Sequence, residues 1–222
     1  MLKDKKKLQK DDNDITYRIL KIFSKTCSFS EKNVNGRKIV TIKELKLVQI
    51  INTEEDYEKY SKIMQIYINY VKNKYTKEAT LEGCDLRKCF QQEISVANKK
   101  LPLFFVYKND VFIGMAGITS VKNVKLNNNT YILQELSLRV FNEDGDVSIF
   151  NSLNVCITII SYAVYKNFDY FMKTYVKRRD FWFHLSDIIG FHYIGTKICK
   201  FNFLQKETKM DIFSNIKNIK LT

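Results

Sequence analysis

Two runs of aromatic and β-branched residues, Leu103-Phe104-Phe105-Val106-Tyr107 and Val111-Phe112-Ile113-Gly114-Met115-Ala116-Gly117-Ile118, are separated only by Lys108-Asn109-Asp110. A polar break that short leaves room for a tight turn and little else, so the pair reads as a β-hairpin. After the polar tip Asn127-Asn128-Asn129 a third such run extends from Tyr131 to Val140. Three antiparallel strands in succession put a sheet at the centre of the chain. A long apolar stretch at about 148–166 follows an acidic loop, Asn142-Glu143-Asp144-Gly145-Asp146, and is expected to be a helix that covers the sheet.

The flanking segments fit the same architecture. Lys46 to Ile51 reads as a strand, and Thr53-Glu54-Glu55-Asp56 as a helix start: Thr53 caps, and the early acids favour the positive end of the dipole. Tyr57, Tyr60, Met64, Tyr67, Val71 and Tyr75 then recur at helical spacing, which predicts a core-facing aromatic face. A second helix is expected over about 82–98, with Leu86, Cys89, Phe90 and Ala97 on its apolar side. Toward the C-terminus a strand at 169–176, a helix at about 180–189 and a strand from Phe191 to Phe203, broken at Gly195 or later, complete the order β-α-α-β-β-β-α-β-α-β-β. Residues 1–14 read as a frayed charged tail, and Asn33-Val34-Asn35-Gly36 as a turn. A boundary near residue 40 follows, with 1–40 a basic, partly flexible extension and 41–222 the folded domain.

Composition narrows the class. With 222 residues, 45% of them hydrophobic, one Pro and seven Gly, the chain can build one core and is neither disordered nor collagen-like. No apolar run is long enough for a transmembrane helix. The net charge of +13 is uneven: residues 1–45 and 151–222 each contribute +6, and 101–150 contribute −1. Such ends would attract nucleic acid, an anionic membrane, an acidic carrier protein or a polyphosphate cofactor. Lys outnumbers Arg 31 to 6, which AT-rich coding alone would produce. No nucleic-acid recognition motif accompanies the basic ends, so a nucleic-acid partner is not favoured. Five widely spread cysteines read as reduced thiols, with no His near Cys84 and Cys89 to complete a metal site, so no metal is expected. The charged N-terminus lacks the apolar segment of a secretory signal, which makes cytoplasm the expected location.

The hairpin ends in Phe112-Ile113-Gly114-Met115-Ala116-Gly117, and a late segment reads Ile188-Ile189-Gly190-Phe191-His192-Tyr193-Ile194-Gly195. With these residues in place, the order of elements resembles the GCN5-related N-acetyltransferase (GNAT) superfamily. The resemblance spans about residues 46–215. It implies an α/β (α+β) fold: a mixed, mostly antiparallel central sheet with helices on both faces, splayed between the fourth and fifth strands. It also implies acyl transfer from acetyl-CoA or another acyl-CoA to an amine acceptor. The pantetheine arm would pair with the splayed strand at Leu138, Arg139 and Val140, and the pyrophosphate would lie at the start of the following helix. The equivalent stretch here, Asp144-Gly145-Asp146-Val147-Ser148-Ile149-Phe150-Asn151, departs from the family's glycine-rich loop. It leaves Gly145 as its one free backbone, with Ser148 and Asn151 as side-chain donors.

The same resemblance makes Glu135 the general base that takes the acceptor's proton. Strand alternation turns Glu135, Ser137 and Arg139 to one side and Leu136, Leu138 and Val140 to the other, either as the wall of a cleft or as an ordinary half-exposed strand. Ser186 stands where relatives place the tyrosine that protonates the departing thiolate, and His184 or Tyr193 are substitutes for that acid role. Glu135-Leu136-Ser137-Leu138-Arg139 is also similar to the Glu-x-Ser-Arg of autoinducer synthases, whose acyl donor is an acidic acyl-carrier protein. A GNAT-fold binding protein without catalysis is the non-enzymatic alternative. Cys156 lies in the apolar helix and reads as an inert buried thiol. Phe181, Trp182 and Phe183 are expected either to line a pocket or to pack helix on sheet.

Overall fold

The computed structural model describes residues 28–126, 129–141, 149–176, 183, 192–200, 207–217 and 219. Nine strands form one sheet in the order β1-β2-β3-β4-β5-β6-β7-β9-β8. They are β1 (Ser30–Val34), β2 (Arg37–Ile42), β3 (Leu45–Gln49), β4 (Leu103–Lys108), β5 (Val111–Leu126), β6 (Asn129–Val140), β7 (Asp169–Tyr175), β8 (His192–Cys199) and β9 (Thr208–Ser214). The helices are α1 (Glu54–Lys74), α2 (Leu86–Ser95) and α3 (Ile149–Tyr165). All neighbouring strands pair antiparallel except β6 and β7.

The central hairpin closes through a two-residue turn. Lys108 pairs with Val111, and Asn109 and Asp110 both adopt positive φ, 49° and 65°, as the hairpin's twist requires. Asn35 and Gly36 do the same between β1 and β2, so pairing onto the sheet already begins at Ser30 and β2 runs across residue 40. Strand β5 is eight residues longer than its apolar run, because β6 pairs with it from Gly114 to Leu126. Gly114, at φ 132°, shows why a glycine is needed there: a Cβ would lie 2.1 Å from the Arg139 carbonyl oxygen.

The helices start and stop where local chemistry directs. Thr53 Oγ1 accepts from the Asp56 N–H at 3.3 Å and opens α1, and the Asp85 carboxylate accepts from the Lys88 N–H at 2.9 Å and opens α2. The second cap, with Gly83 at φ 72° before it, explains why α2 begins at Leu86 and not at 82. Helix α3 ends in a Schellman motif: Asn167, at φ 53°, donates to the Val164 carbonyl, and Phe168 to that of Ala163. That turn drops the chain into β7, and α3 supplies the crossover that two parallel strands need.

Each face of the sheet has a core. On one side Leu47, Phe104, Ala116, Leu136 and Val140 pack with Val155, Ile159 and Tyr162 of α3. On the other Phe105, Met115, Leu133 and Phe171 pack with Tyr60, Ile63 and Met64 of α1 and Phe90 of α2. Alternation along β4 feeds both cores from one strand. Cys156 is buried in the first core, and burial pushes its thiol up to about 12. The expected helix at 180–189 and the side chain of Trp182 lie outside the described residues. Phe183 makes ring contacts with Tyr193 and Phe213.

Candidate active site

Strands β6 and β7 pair at only three positions, Leu133 with Asp169, Gln134 with Tyr170 and Glu135 with Phe171. Beyond these, β6 continues to Val140 held by β5 alone, and β7 to Tyr175 held by β9. The sheet therefore opens into a V, which is the splay expected between the fourth and fifth strands of the sequence reading. A cavity of about 320 Å³ occupies the V, bounded by Leu136 to Val140 on one side and Met172 to Tyr175 on the other. Tyr60, Met64 and Tyr67 of α1 cover it. Leu138, Arg139 and Val140 all line it, and the open edge of β6 offers backbone donors and acceptors to an extended chain as an added strand would.

Glu135 sits at the closed end of the V. Its carboxylate pairs with Lys173 Nζ at 2.8 Å and accepts a hydrogen bond from Ser120 Oγ. The side chains of Glu135 and Lys173 are 13% and 17% exposed, so both groups are largely withdrawn from water yet open to the cavity. Ser120 reaches Glu135 because β5 carries an extra residue, Thr119, between the Ile118–Leu136 and Ser120–Glu135 pairs.

Four residues along β6, Arg139 turns to the same side. Its Nη1 and Nη2 donate to the Glu93 carboxylate at 2.8 and 2.7 Å, and its guanidinium lies 5.8 Å from the Tyr67 ring centre. Burial, the largest influence on Arg139, favours the neutral form. The charge and hydrogen bonds of Glu93 outweigh it, and the group is held above its usual range. Arg139 thus braces α2 against β6, while its backbone belongs to the open edge. The charged-polar-charged row read from alternation is the cleft wall, with Leu136 and Val140 in the opposite core.

Two buried hydroxyls on this cavity, Tyr60 Oη and Thr174 Oγ1, have no hydrogen-bond partner among the described residues. An unmet donor in a cleft is a group available to a ligand. Burial raises the Tyr60 hydroxyl's pKa, with Glu93 adding to the effect, so it stays a donor at neutral pH. Lys99, at the far end of α2, donates from Nζ to the Glu93 carbonyl oxygen at 2.8 Å, and burial lowers its pKa to about 8.

Of the other residues singled out in the sequence, Gly145, Ser148, Ser186 and His184 lie outside the described residues, as does the side chain of Asn151. Tyr193 is on β8, two strands from β7, with its hydroxyl on Thr196 Oγ1 at 2.7 Å, and does not line the cavity. Sequence reasoning missed Lys173, Ser120 and Glu93. Lys173 left a signal, a single cation in the strand Asp169–Tyr175 on the same side as Phe171 and Tyr175. Among the described residues no cluster of three or more His, Cys, Asp and Glu could hold a metal ion, and no helix is long and apolar enough to cross a membrane.

No protein-family model matches the sequence, and no curated protein matches it. Solved structures do match in fold. The ribosomal L7/L12 alpha-N-protein acetyltransferase RimL, in its apo form, is similar with a TM-score of 0.52 and 12% identity, covering 85% of this chain and 99% of that one. FeeM, an N-acyl amino acid synthase from uncultured soil microbes, has a TM-score of 0.47 and 12% identity, with 78% and 94% covered. The microcin C7 self-immunity acetyltransferase MccE, in complex with acetyl-CoA and AMP, has a TM-score of 0.45 and 15% identity, with 77% and 91% covered. The likeness to RimL is one of fold, and the fold is the one that the sequence resemblance implied.

Proposed function

We propose that the chain is an acyltransferase that moves an acetyl or other acyl group from a phosphopantetheine thioester, in the first place acetyl-CoA, to an amine. The observation that carries this reading is the V between β6 and β7, with Glu135 at its closed end and an unpaired strand edge along its side. A thioester bound there supplies the acyl group and a sulfur leaving group. The backbone of Leu138, Arg139 and Val140 holds the arm. The stretch with Gly145, Ser148 and Asn151 is where the anionic end of the donor would come. Glu135, fixed by Lys173 and Ser120, accepts the proton that an ammonium acceptor must lose before it can attack. Thr174, unpartnered on the facing strand, supports a donor role toward the developing charge at the reacting centre.

The donor is tested by thermal unfolding of the full chain with acetyl-CoA. At a hundredfold excess over the dissociation constant, linkage gives about 2.7 kcal/mol of stabilisation. Release of free thiol in the presence of a panel of amines then tests transfer. A response to acyl-carrier protein in place of acetyl-CoA would identify the carrier-dependent donor, and binding without thiol release would identify a non-catalytic binding protein. Indifference to both donors would overturn the proposal.

A further inference from the structure

Beside the proton-handling groups, the cleft wall carries one pair of nucleophiles in contact. Cys84 Sγ and Cys89 Sγ are 3.7 Å apart, both half-buried and both on the cavity next to Tyr60 and Glu93. Helix geometry explains the approach. Asp85 caps α2, so Cys84 is the residue before the cap and Cys89 the fourth of the helix, the two positions that pack on one another as a hydrophobic staple. Here the staple is made of two thiols, five residues apart.

We propose that Cys84 and Cys89 form a thiol–disulfide exchange site that low-molecular-weight disulfides of the glutathione type oxidise to an intramolecular disulfide. The Cys89 sulfur, as thiolate, attacks the small disulfide, forms a mixed disulfide and expels one thiolate, which takes up a proton. The Cys84 sulfur, after losing its proton, attacks Cys89 Sγ, closes the Cys84–Cys89 bond and expels the second thiol. The protein loses two electrons and two protons, and one small disulfide becomes two small thiols. Burial, followed by the hydrogen bond with Cys89, pushes the Cys84 thiol up to about 11, which suits it to the second, intramolecular step and not to the first.

Closing the bond brings the sulfurs from 3.7 Å to about 2.05 Å. Helix α2 is the fixed partner: Phe90 is fully buried against the rings of Tyr57 and Tyr60, and Arg87 donates to both Glu54 carboxylate oxygens. The segment 81–84 is therefore the one that moves. The bridge would fasten it across the first turn of the helix that carries Glu93 to Arg139. The site does not depend on acyl transfer, and its failure would leave that reading untouched.

The test uses the native full chain with excess oxidised glutathione, a maleimide quench, and trypsin. Cleavage after Arg87 and Lys88 separates peptides 78–87 and 89–99 unless a bridge joins them. The expected result is the joined pair, 2 Da below the sum of the two reduced peptides and released by dithiothreitol. In Cys84→Ser the expected result is a stable glutathione adduct on Cys89, more than tenfold above its level in the wild type. Recovery of Cys84 and Cys89 as separate adducts in the wild type, a bridge from either to Cys27, Cys156 or Cys199, or an unreactive Cys89 in Cys84→Ser would each overturn the proposal.

Discussion

Lys173 on β7 reaches Glu135 on β6 at 2.8 Å, two residues beyond the last position at which these parallel strands pair. The ion pair bridges the strands at the point where backbone hydrogen bonding between them stops and the cleft begins. Its carboxylate is thereby held at the apex of the V, where an acceptor amine would meet a thioester lying along β6.

Replacing Glu135 with Gln is expected to lower acyl transfer by about 10²–10⁴-fold while donor binding persists. The same change removes the carboxylate charge that faces Lys173 and is expected to cost about 1–3 kcal/mol in chemical denaturation. The double variant Glu135→Gln with Lys173→Met should recover stability but not turnover, since the loss of chemistry and the loss of fold have different origins.

Arg139 and Glu93 form a bidentate pair with side chains 8% and 17% exposed. Removing one partner alone, as Arg139→Met or Glu93→Gln, strands a largely buried charge or its donors and is expected to destabilise by about 3–5 kcal/mol. The double variant should cost clearly less than the sum, so a double-mutant cycle in urea should return a coupling energy of about 1 kcal/mol or more.

Gly114→Ala puts a Cβ on the Arg139 carbonyl at a backbone angle that side chains rarely adopt. A loss of about 2 kcal/mol or more is expected from the strain, read as a lower urea midpoint at unchanged slope. Gly36→Ala meets no atom within 4 Å and differs only in its φ of 74°, so it should cost less than Gly114→Ala.

These positions also show what could be read in advance. The hairpin, the α1 cap and the alternation of β6 are local, and local chemistry decides them; the three polar residues between the runs bounded the turn, and pairing of Lys108 with Val111 leaves it two residues long. Beyond Ile118, β5 interrupts Val121, Val124 and Leu126 with Ser, Lys and Asn, and β6 pairs with it to its end, so the unbroken apolar run marks only its first half. The tyrosine face of α1 was legible as a face. Its period could not tell core from cleft, and Tyr60 and Met64 are at once buried and on the cavity wall. The Glu93–Arg139 and Glu135–Lys173 pairs join distant segments. The first depends on how α2 docks on β6 and the second on where two parallel strands part, and no residue pattern along one strand records either.

Lys99 should make stability depend on pH in a defined direction. Its pKa is lowered to about 8 in the folded chain, against 10.5 for a free side chain, so between those values the unfolded state binds more protons and stability rises with pH. Lys99→Met removes that contribution. Relative to the variant, the wild type should gain stability from pH 8 to pH 10 and show a constant difference below pH 7, as measured by urea midpoints across the series. A difference that does not vary with pH would show that Lys99 titrates normally.

Amide hydrogen exchange with and without saturating acetyl-CoA reports whether the parted strands β6 and β7 receive the donor. Slowed exchange is expected to concentrate in residues 136–140, whose strand edge gains a partner, with smaller protection in 172–175. Saturable binding that leaves 136–140 unchanged and protects amides elsewhere would contradict that placement of the donor.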